Sequence, residues 1–331
     1  MINGESSLAK KIPRIVKDIQ NNPPDKINFA FQKNISYSQM SIFRGCPHRW
    51  KLQYKDKLKR FTSSIHTVFG TAMHEVIQHY LDVMYENSAA YADRSINMEE
   101  KFQESFIAEY QSQYKSNKNE HFSDATQMRE FFEDGVAILE WFKKKRSGYF
   151  KKKGTYLVGC EIPIVVTPNK MYNNVLYMGY LDVVTYHEPT DTFKIIDIKT
   201  STKGWNSYAK NDKEKHNQLL LYKQYFSEQY NIPLDKIEIE FFILKRKVLD
   251  ADDENLLSPY QAYRVQQFTP PNGKTSLSRA RNAVGDFISK CFNSNGDIKD
   301  VPYHKTPSKW TCNFCPYKED MELCGAGLDF A

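Results

Sequence analysis

Residues 179 to 201 read GYLDVVTYHEPTDTFKIIDIKTS and contain two apolar segments that are interrupted by charged side chains. Asp182 lies inside the first segment, and Asp197 and Lys199 lie at the end of the second. A carboxylate is costly to bury in so hydrophobic a strand unless something compensates its charge. The stretch therefore predicts two strands whose charged residues have a specific partner.

The arrangement of these charges allows two interpretations. Residues two apart on a strand point to the same face, so Asp197 and Lys199 project together. If the two strands pair, Asp182 can meet Asp197 across the sheet, and a divalent cation would remove the repulsion between the carboxylates. The alternative is an ordinary salt bridge from Lys199 to either aspartate, which the three residues alone favour.

The hydrophobic pattern around this stretch predicts helices first, then three strands, then a helix and a further strand. Predicted helices span 70–84, 102–114, 127–145 and 213–230, and predicted strands span 156–166, 175–186, 193–198 and 237–245. Three consecutive strands indicate a meander and not a uniformly alternating parallel sheet. Upstream, Ser36 or Ser38 can cap a helix that runs toward Cys46, and Pro47 suits the first turn of the next helix.

Polar residues lie near the apolar faces of two predicted helices. His74 is at the margin of the first helix's apolar face, and Gln218 and Tyr222 share a face of the helix at 213–230. A lone histidine in such a position is more often structural. Its place in the helix that precedes the acidic strands favours a role beside them.

Four motifs in this order resemble the successive motifs of RecB-like nucleases, which belong to the PD-(D/E)XK superfamily. They are Gly70-Thr-Ala-Met-His74, Gly179-Tyr-Leu-Asp182, Ile196-Asp197-Ile-Lys199-Thr200-Ser201 and Gln218-Leu-Leu-Leu-Tyr222. The resemblance extends from about residue 36 to the C-terminus. It implies an α/β, restriction-endonuclease-like fold, in which helices flank a mixed central sheet.

The same resemblance implies roles for the motif residues. His74, Asp182 and Asp197 would be ligands of Mg²⁺ or Mn²⁺, and Lys199 would be the catalytic lysine. Gln218 and Tyr222 would orient the lysine or the DNA backbone. A carboxylate-bound cation activates water for phosphodiester hydrolysis, and a lysine can position that water or stabilise anionic oxygens. Glu161, on the preceding strand, could add a ligand or support one, although an isolated strand glutamate is usually solvated.

Three of the six cysteines form the pattern C-x2-C-x8-C near the C-terminus, at Cys312, Cys315 and Cys324. In a reducing compartment, clustered cysteines are more often metal ligands than disulfides. Four thiolates would suit structural zinc about as well as an iron–sulfur cluster. Cys160 and Cys291 have no close cysteine neighbours and are expected to be small buried residues.

The fourth ligand is implied by resemblance and not by spacing. AddB-type helicase–nuclease subunits and CRISPR-associated four-cysteine exonucleases carry one cysteine before the nuclease core and three after it, and these hold a 4Fe-4S cluster. The matching positions here are Cys46, Cys312, Cys315 and Cys324. The resemblance therefore implies a cluster, with structural Zn²⁺ as the alternative, that joins the two ends of the chain.

Composition predicts a soluble, intracellular and cytoplasmic protein, and a virus or mobile element is one candidate source. Lys and Arg number 46 against 40 Asp and Glu. No apolar stretch approaches the roughly 20 residues that a membrane span requires. Two basic runs, one at 55–60 and one at 143–153, could contact the DNA backbone or could be solvated surface.

The predicted organisation has four parts. A leader at 1–35 precedes a helical segment at 36–69, a nuclease core at 70–300 with a helical insertion at about 87–150, and an iron–sulfur segment at 301–331. The predicted function is a DNA exonuclease that acts on ends or single strands in recombination, replication or repair. The alternatives are a non-catalytic DNA-binding module and a nuclease subunit of a separate helicase or recombination complex. A helicase motor is not expected within this sequence, because Phe268 replaces the first glycine of a phosphate loop that would end at Gly273-Lys274-Thr275.

Overall fold

A six-stranded mixed sheet forms the centre of the computed structural model, which describes residues 12–58, 60, 62–250, 252–254, 256 and 258–325. Its strands are β1 (Lys33–Ile35), β2 (Thr155–Val166), β3 (Val175–His187), β4 (Thr192–Ser201), β5 (Ile237–Lys245) and β6 (Val265–Phe268). Strands β2, β3 and β4 form an antiparallel meander, β5 runs parallel to β4, and β6 pairs antiparallel with β5. The mixed sheet and the meander confirm the predicted fold class.

The sheet opens along one edge of β3. Strand β2 pairs with residues 177–187 along the other edge, whereas β1 pairs only with residues 175–177 and β4 only with residues 183–187. In the described part of the chain, residues 178–182 therefore have a neighbouring strand on one side only. Asp182 lies at the end of this opening, where a polar group can reach it from outside the sheet.

Helices cover both faces of the sheet. They are α1 (Arg14–Asn21), α2 (Tyr37–Gly45), α3 (Pro47–Trp50), α4 (Ile65–Glu86), α5 (Ala89–Ser95), α6 (Met98–Ser116), α7 (Ala125–Lys145), α8 (Ser147–Phe150), α9 (Ser207–Asn211), α10 (Lys213–Tyr230), α11 (Lys274–Cys291) and α12 (Lys309–Asn313). A π-helical turn, Lys51–Lys55, continues α3. Helices α4 to α8 share one half of the core with the sheet, and α1, α2, α10 and α11 share the other.

The predicted bounds agree with the structure where a capping residue or a long apolar pattern defines them. Ser36 caps α2 by accepting a hydrogen bond from the Gln39 amide, and Pro47 begins α3. The helix predicted from Gly70 begins earlier, at Ile65, because the Ser64 hydroxyl accepts a hydrogen bond from a first-turn amide. The helical insertion predicted at 87–150 corresponds to α5 through α8.

Most of the predicted leader packs on the sheet. Val16 and Ile19 of α1 are buried in the core, and Gln20 Nε2 donates a hydrogen bond to the Val158 carbonyl at 3.1 Å. Strand β1 adds a further part of this segment to the sheet edge. Residues 14–35 are therefore part of the fold, whereas residues 1–11 lie outside the described residues. None of the described helices combines the length and apolar character that a membrane span requires.

Candidate active site

Strand β2 reverses the direction of its side chains at Glu161. Cys160 packs with the helical layer that contains α4, whereas Ile162 belongs to the opposite half of the core. Residues two apart on a regular strand share a face, so the alternation is broken between them. The backbone of Glu161 causes the break, because its φ of 52° lies in the left-handed region that residues other than glycine seldom adopt.

Strand β3 makes a matching reversal at Asp182, since Leu181 and Val183 lie in opposite halves of the core. The register on either side of the reversal places Glu161 opposite Asp182. Like charges directly opposite each other destabilise a sheet. The pair therefore needs a positively charged partner, and the opening beside β3 gives such a partner access.

A histidine from α4 joins these two carboxylates. One ligand atom each from His74, Glu161 and Asp182 forms a group in which all atoms lie within 4.8 Å of one another. His74 Nδ1 lies 3.6 Å from Asp182 Oδ2, which also accepts a hydrogen bond of 2.7 Å from the Ile198 amide. An imidazole nitrogen with two carboxylates is a donor set that divalent transition metals accept, and carboxylate oxygens also suit Mg²⁺.

Burial controls the protonation of this group. It lowers the pKa of His74 to about 4, and the Lys199 charge adds to that effect. The histidine is therefore neutral at pH 7, which is the form that binds metal. Burial and then the Asp197 charge raise the pKa of Asp182 well above its usual value. A bound cation would favour the ionised carboxylate again, so the electrostatics of the site fit a metal.

Asp197 and Lys199 project together, as their spacing on one strand predicts. Lys199 Nζ lies 2.8 Å from Asp197 Oδ2, and Asp197 is only 1% exposed. The contact is an ion pair by distance, yet neither Asp197 oxygen receives a well-directed hydrogen bond from the described residues. Burial alone would lower the pKa of Lys199, but the charges of Asp197 and Asp182 outweigh it and raise that pKa. Lys199 is therefore a cation at neutral pH.

Asp197 lies beside the group of three ligand atoms and not within it, although the family resemblance implies that it is a ligand. Ile196 and Ile198 face the layer of α4, so Asp197 between them points to the opposite face, where Lys199 engages it. Its charge still acts on both Asp182 and His74. Asp197 therefore contacts Lys199 directly and influences the ligand group through its charge.

Gln218 and Tyr222 lie on α10, on the side of the sheet opposite α4. Gln218 Nε2 donates to the Tyr222 hydroxyl at 3.1 Å. Burial raises the pKa of Tyr222 to about 12, with Gln218 acting in the other direction and Asp197 adding to the increase. A β-carbon on Gly179 would lie 2.8 Å from Tyr222 Cε1. The glycine therefore lets the tyrosine ring reach β3 next to the opening.

The four predicted cluster cysteines surround one small cavity. Cys46 lies between α2 and α3, Cys312 lies on α12, and Cys315 and Cys324 follow, all lining the same space. In the described part of the chain, no three of their sulfurs lie within 4.8 Å of one another. Tetrahedral zinc, with Zn–S bonds of about 2.3 Å, would hold sulfurs about 3.8 Å apart.

Direct contacts join the two segments that carry these cysteines. Arg60 forms an ion pair of 2.6 Å with Asp320, and the His48 ring contacts the Leu323 carbonyl at 2.9 Å. The Tyr317 hydroxyl donates to the carbonyl of Leu58. The two segments that carry the cysteines are far apart in the sequence. These contacts pack them together around the cavity without a metal.

Some cations of the two basic runs have internal partners. Lys55 pairs with Asp300 at 2.7 Å, and Arg60 pairs with Asp320. In the second run, Arg146 is buried and pairs with Asp93 at 2.6 Å. Lys59 lies outside the described residues. Lys144, Lys145 and the three lysines at 151–153 are exposed, so contact of the second run with the DNA backbone stays a prediction.

Comparison with known proteins identifies the superfamily of the chain. The family model of the PD-(D/E)XK nuclease superfamily matches residues 34–320, and the chain belongs to that superfamily. No curated protein matches the chain. Among solved structures, a proposed exonuclease from Eubacterium rectale is 11% identical, with 79% of this chain and 80% of that chain covered and a TM-score of 0.45. A likeness at that level adds nothing to the argument about activity.

Proposed function

We propose that this protein is a metal-dependent DNA nuclease that hydrolyses phosphodiester bonds. The observation that carries the proposal is the convergence of His74, Glu161 and Asp182 within 4.8 Å, next to the buried Asp197–Lys199 pair. Membership of a nuclease superfamily and retention of all three core residues, Asp182, Asp197 and Lys199, support catalysis over DNA binding alone.

The chain's own groups have distinct roles in the proposed reaction. His74, Glu161 and Asp182 would hold Mg²⁺ or Mn²⁺, and the family resemblance implies Asp197 as a further ligand. When bound, the cation lowers the pKa of a coordinated water and offsets charge on the phosphate. Lys199, protonated at neutral pH, can orient that water or stabilise the anionic oxygens of the transition state. Tyr222, held by Gln218, lies on the same side as Lys199 and can position the lysine or the DNA backbone.

We further propose that Cys46, Cys312, Cys315 and Cys324 hold a 4Fe-4S cluster. All four line one cavity, and among the described residues no three of their sulfurs lie within 4.8 Å of one another, whereas tetrahedral zinc would hold them about 3.8 Å apart. Four thiolates leave no open coordination position, so the cluster would be structural. Structural zinc remains the alternative, and it would require these side chains to move closer together.

The substrate is proposed to be DNA with an end or a single-stranded region, in recombination, replication or repair. This finer assignment rests on the resemblance to RecB-like nucleases. One experiment tests it: the protein is purified anaerobically and incubated with end-labelled single- and double-stranded DNA, with Mg²⁺, Mn²⁺ or a chelator. Metal-dependent release of short products from labelled ends is expected for the wild type and not for Lys199→Ala. Tight DNA binding without cleavage would identify a non-catalytic module, and a co-purifying ATPase would identify a nuclease subunit of a helicase complex.

A further inference from the structure

One side chain of α4 contacts both β2 and β3 at the point where the side-chain alternation of each strand is broken. Gln78 lies one helical turn after His74, and it is only 8% exposed. Its Nε2 donates to Glu161 Oε1 at 2.7 Å and to the Asp182 carbonyl at 3.0 Å. A single buried amide group therefore fixes the carboxylate of β2 and the backbone of β3.

Glu161 depends on this contact more than the other members of the site do. Its side chain is exposed, and an exposed glutamate ordinarily samples many rotamers in water. Its backbone also has an unfavourable positive φ, which persists only where the surroundings over-determine it. Gln78 supplies the neighbouring group that holds the carboxylate toward His74 and Asp182.

The geometry leaves the carboxylate able to bind a cation. Gln78 engages Oε1, so Oε2 of Glu161 keeps both of its lone pairs. Metal-bound carboxylates are commonly hydrogen-bonded in this way, and loss of such a partner typically reduces metal affinity about 10- to 100-fold. Glutamine suits the position because it presents a donor to two oxygens, whereas a glutamate there would present a third negative charge.

We propose that Gln78 is a positioning residue that holds Glu161 as a ligand of the catalytic cation together with His74 and Asp182. The inference rests on the proposed metal-dependent function and adds to it the residue that fixes the geometry of the site. Gln78 acts through Glu161, without contact with substrate or with the reacting atoms.

The test is the affinity of the full chain for Mn²⁺ alone, measured by calorimetry without DNA. Gln78→Ala and the near-isosteric Gln78→Met both remove the donor without adding charge, and each is expected to raise the dissociation constant about 10- to 100-fold. Gln224→Ala is the matched control. Gln224 is also 8% exposed and also donates to a glutamate, Glu228 Oε1 at 2.8 Å, but on α10 and outside the site. Its Mn²⁺ affinity should equal that of the wild type.

A double-mutant cycle separates positioning from a purely structural effect. If Gln78 acts through Glu161, then Gln78→Ala should cost little further affinity in a Glu161→Gln background. Thermal unfolding without metal verifies that each variant is folded, and the near-isosteric Gln78→Met provides a second test if the alanine variant is not. Two results would overturn the inference and leave the nuclease proposal intact. One is wild-type Mn²⁺ affinity in a folded Gln78 variant, and the other is fully additive losses of affinity in the cycle. Absence of any Mn²⁺ binding by the wild type would instead overturn the proposed metal dependence, and this inference with it.

Discussion

Gly179→Ala tests the close approach of Tyr222 to strand β3. The added β-carbon would lie 2.8 Å from Tyr222 Cε1. Carbon atoms pack best at about 3.5–4.0 Å, so the ring or the strand would have to move by about 0.7–1.2 Å. Tyr222 is 6% exposed and has little room to move. Overpacking of this kind typically costs about 1–3 kcal/mol. At about 2.1 cal/mol/K of unfolding entropy per residue, a chain of 331 residues would lose about 1–4 °C of unfolding midpoint.

The assay is thermal unfolding of single and double variants. Gly179 does not have a positive φ, so the backbone tolerates alanine and the cost comes from the clash. In a Tyr222→Ala background the ring is absent, and the cost of Gly179→Ala should nearly vanish. Gly285→Ala is the control, because Gly285 lies in the middle of α11 and a β-carbon there would have no atom within 4 Å. This substitution should stabilise the protein by up to about 1 kcal/mol, since alanine favours a helix more than glycine does. An equal cost of Gly179→Ala with and without the ring would refute the reasoning.

Three further predictions concern the two proposed metal centres. Lys199→Ala or Asp182→Ala should lower the single-turnover cleavage rate about 100-fold or more with the fold intact, because each removes charge and not core volume; near wild-type rates would contradict the assigned roles. The pKa of Asp182 is raised in the folded protein. The metal-free protein should therefore be most stable at a pH below the pKa of Asp182 in the unfolded state, and its stability should fall as the pH rises through the pKa of Asp182 in the folded state. Mn²⁺ should therefore raise the unfolding midpoint more at about pH 8 than at about pH 5, and equal increases would argue against this titration. Anaerobically purified protein should be brown with about four irons per chain, and Cys312→Ser should lose iron and soluble yield; stoichiometric zinc without iron would exclude the cluster.

The sequence predicts the parts of the site that depend on local patterns. Two-residue alternation places Asp197 and Lys199 together, and the structure confirms this with a 2.8 Å ion pair. The same alternation fails at Glu161, since nothing in the sequence marks a glutamate that adopts a positive φ. Gln78 is visible one turn after His74, but its partners lie 83 and 104 residues away and only the fold brings them near.

The basic runs show a second limit of local reasoning. Lys55 appears in the sequence among other cations, yet its partner Asp300 is 245 residues distant. Whether a charge is available to DNA depends on such pairing, and the pairing is a property of the tertiary structure. Short strands are missed for a related reason, because the three residues of β1 are too few to display an alternating pattern.

The cysteine cavity also has a consequence for the order of events during protein synthesis. Cys46 and Cys312 are separated by 266 residues. At about 5–20 residues per second, the ribosome makes Cys312 about 13–53 s after Cys46. A metal centre with ligands from both cysteines cannot form until the sheet encoded between them has been translated. For the proposed cluster, iron delivery would therefore follow translation of the nuclease core, and until then the thiol of Cys46 would depend on the reducing capacity of its surroundings to remain unoxidised.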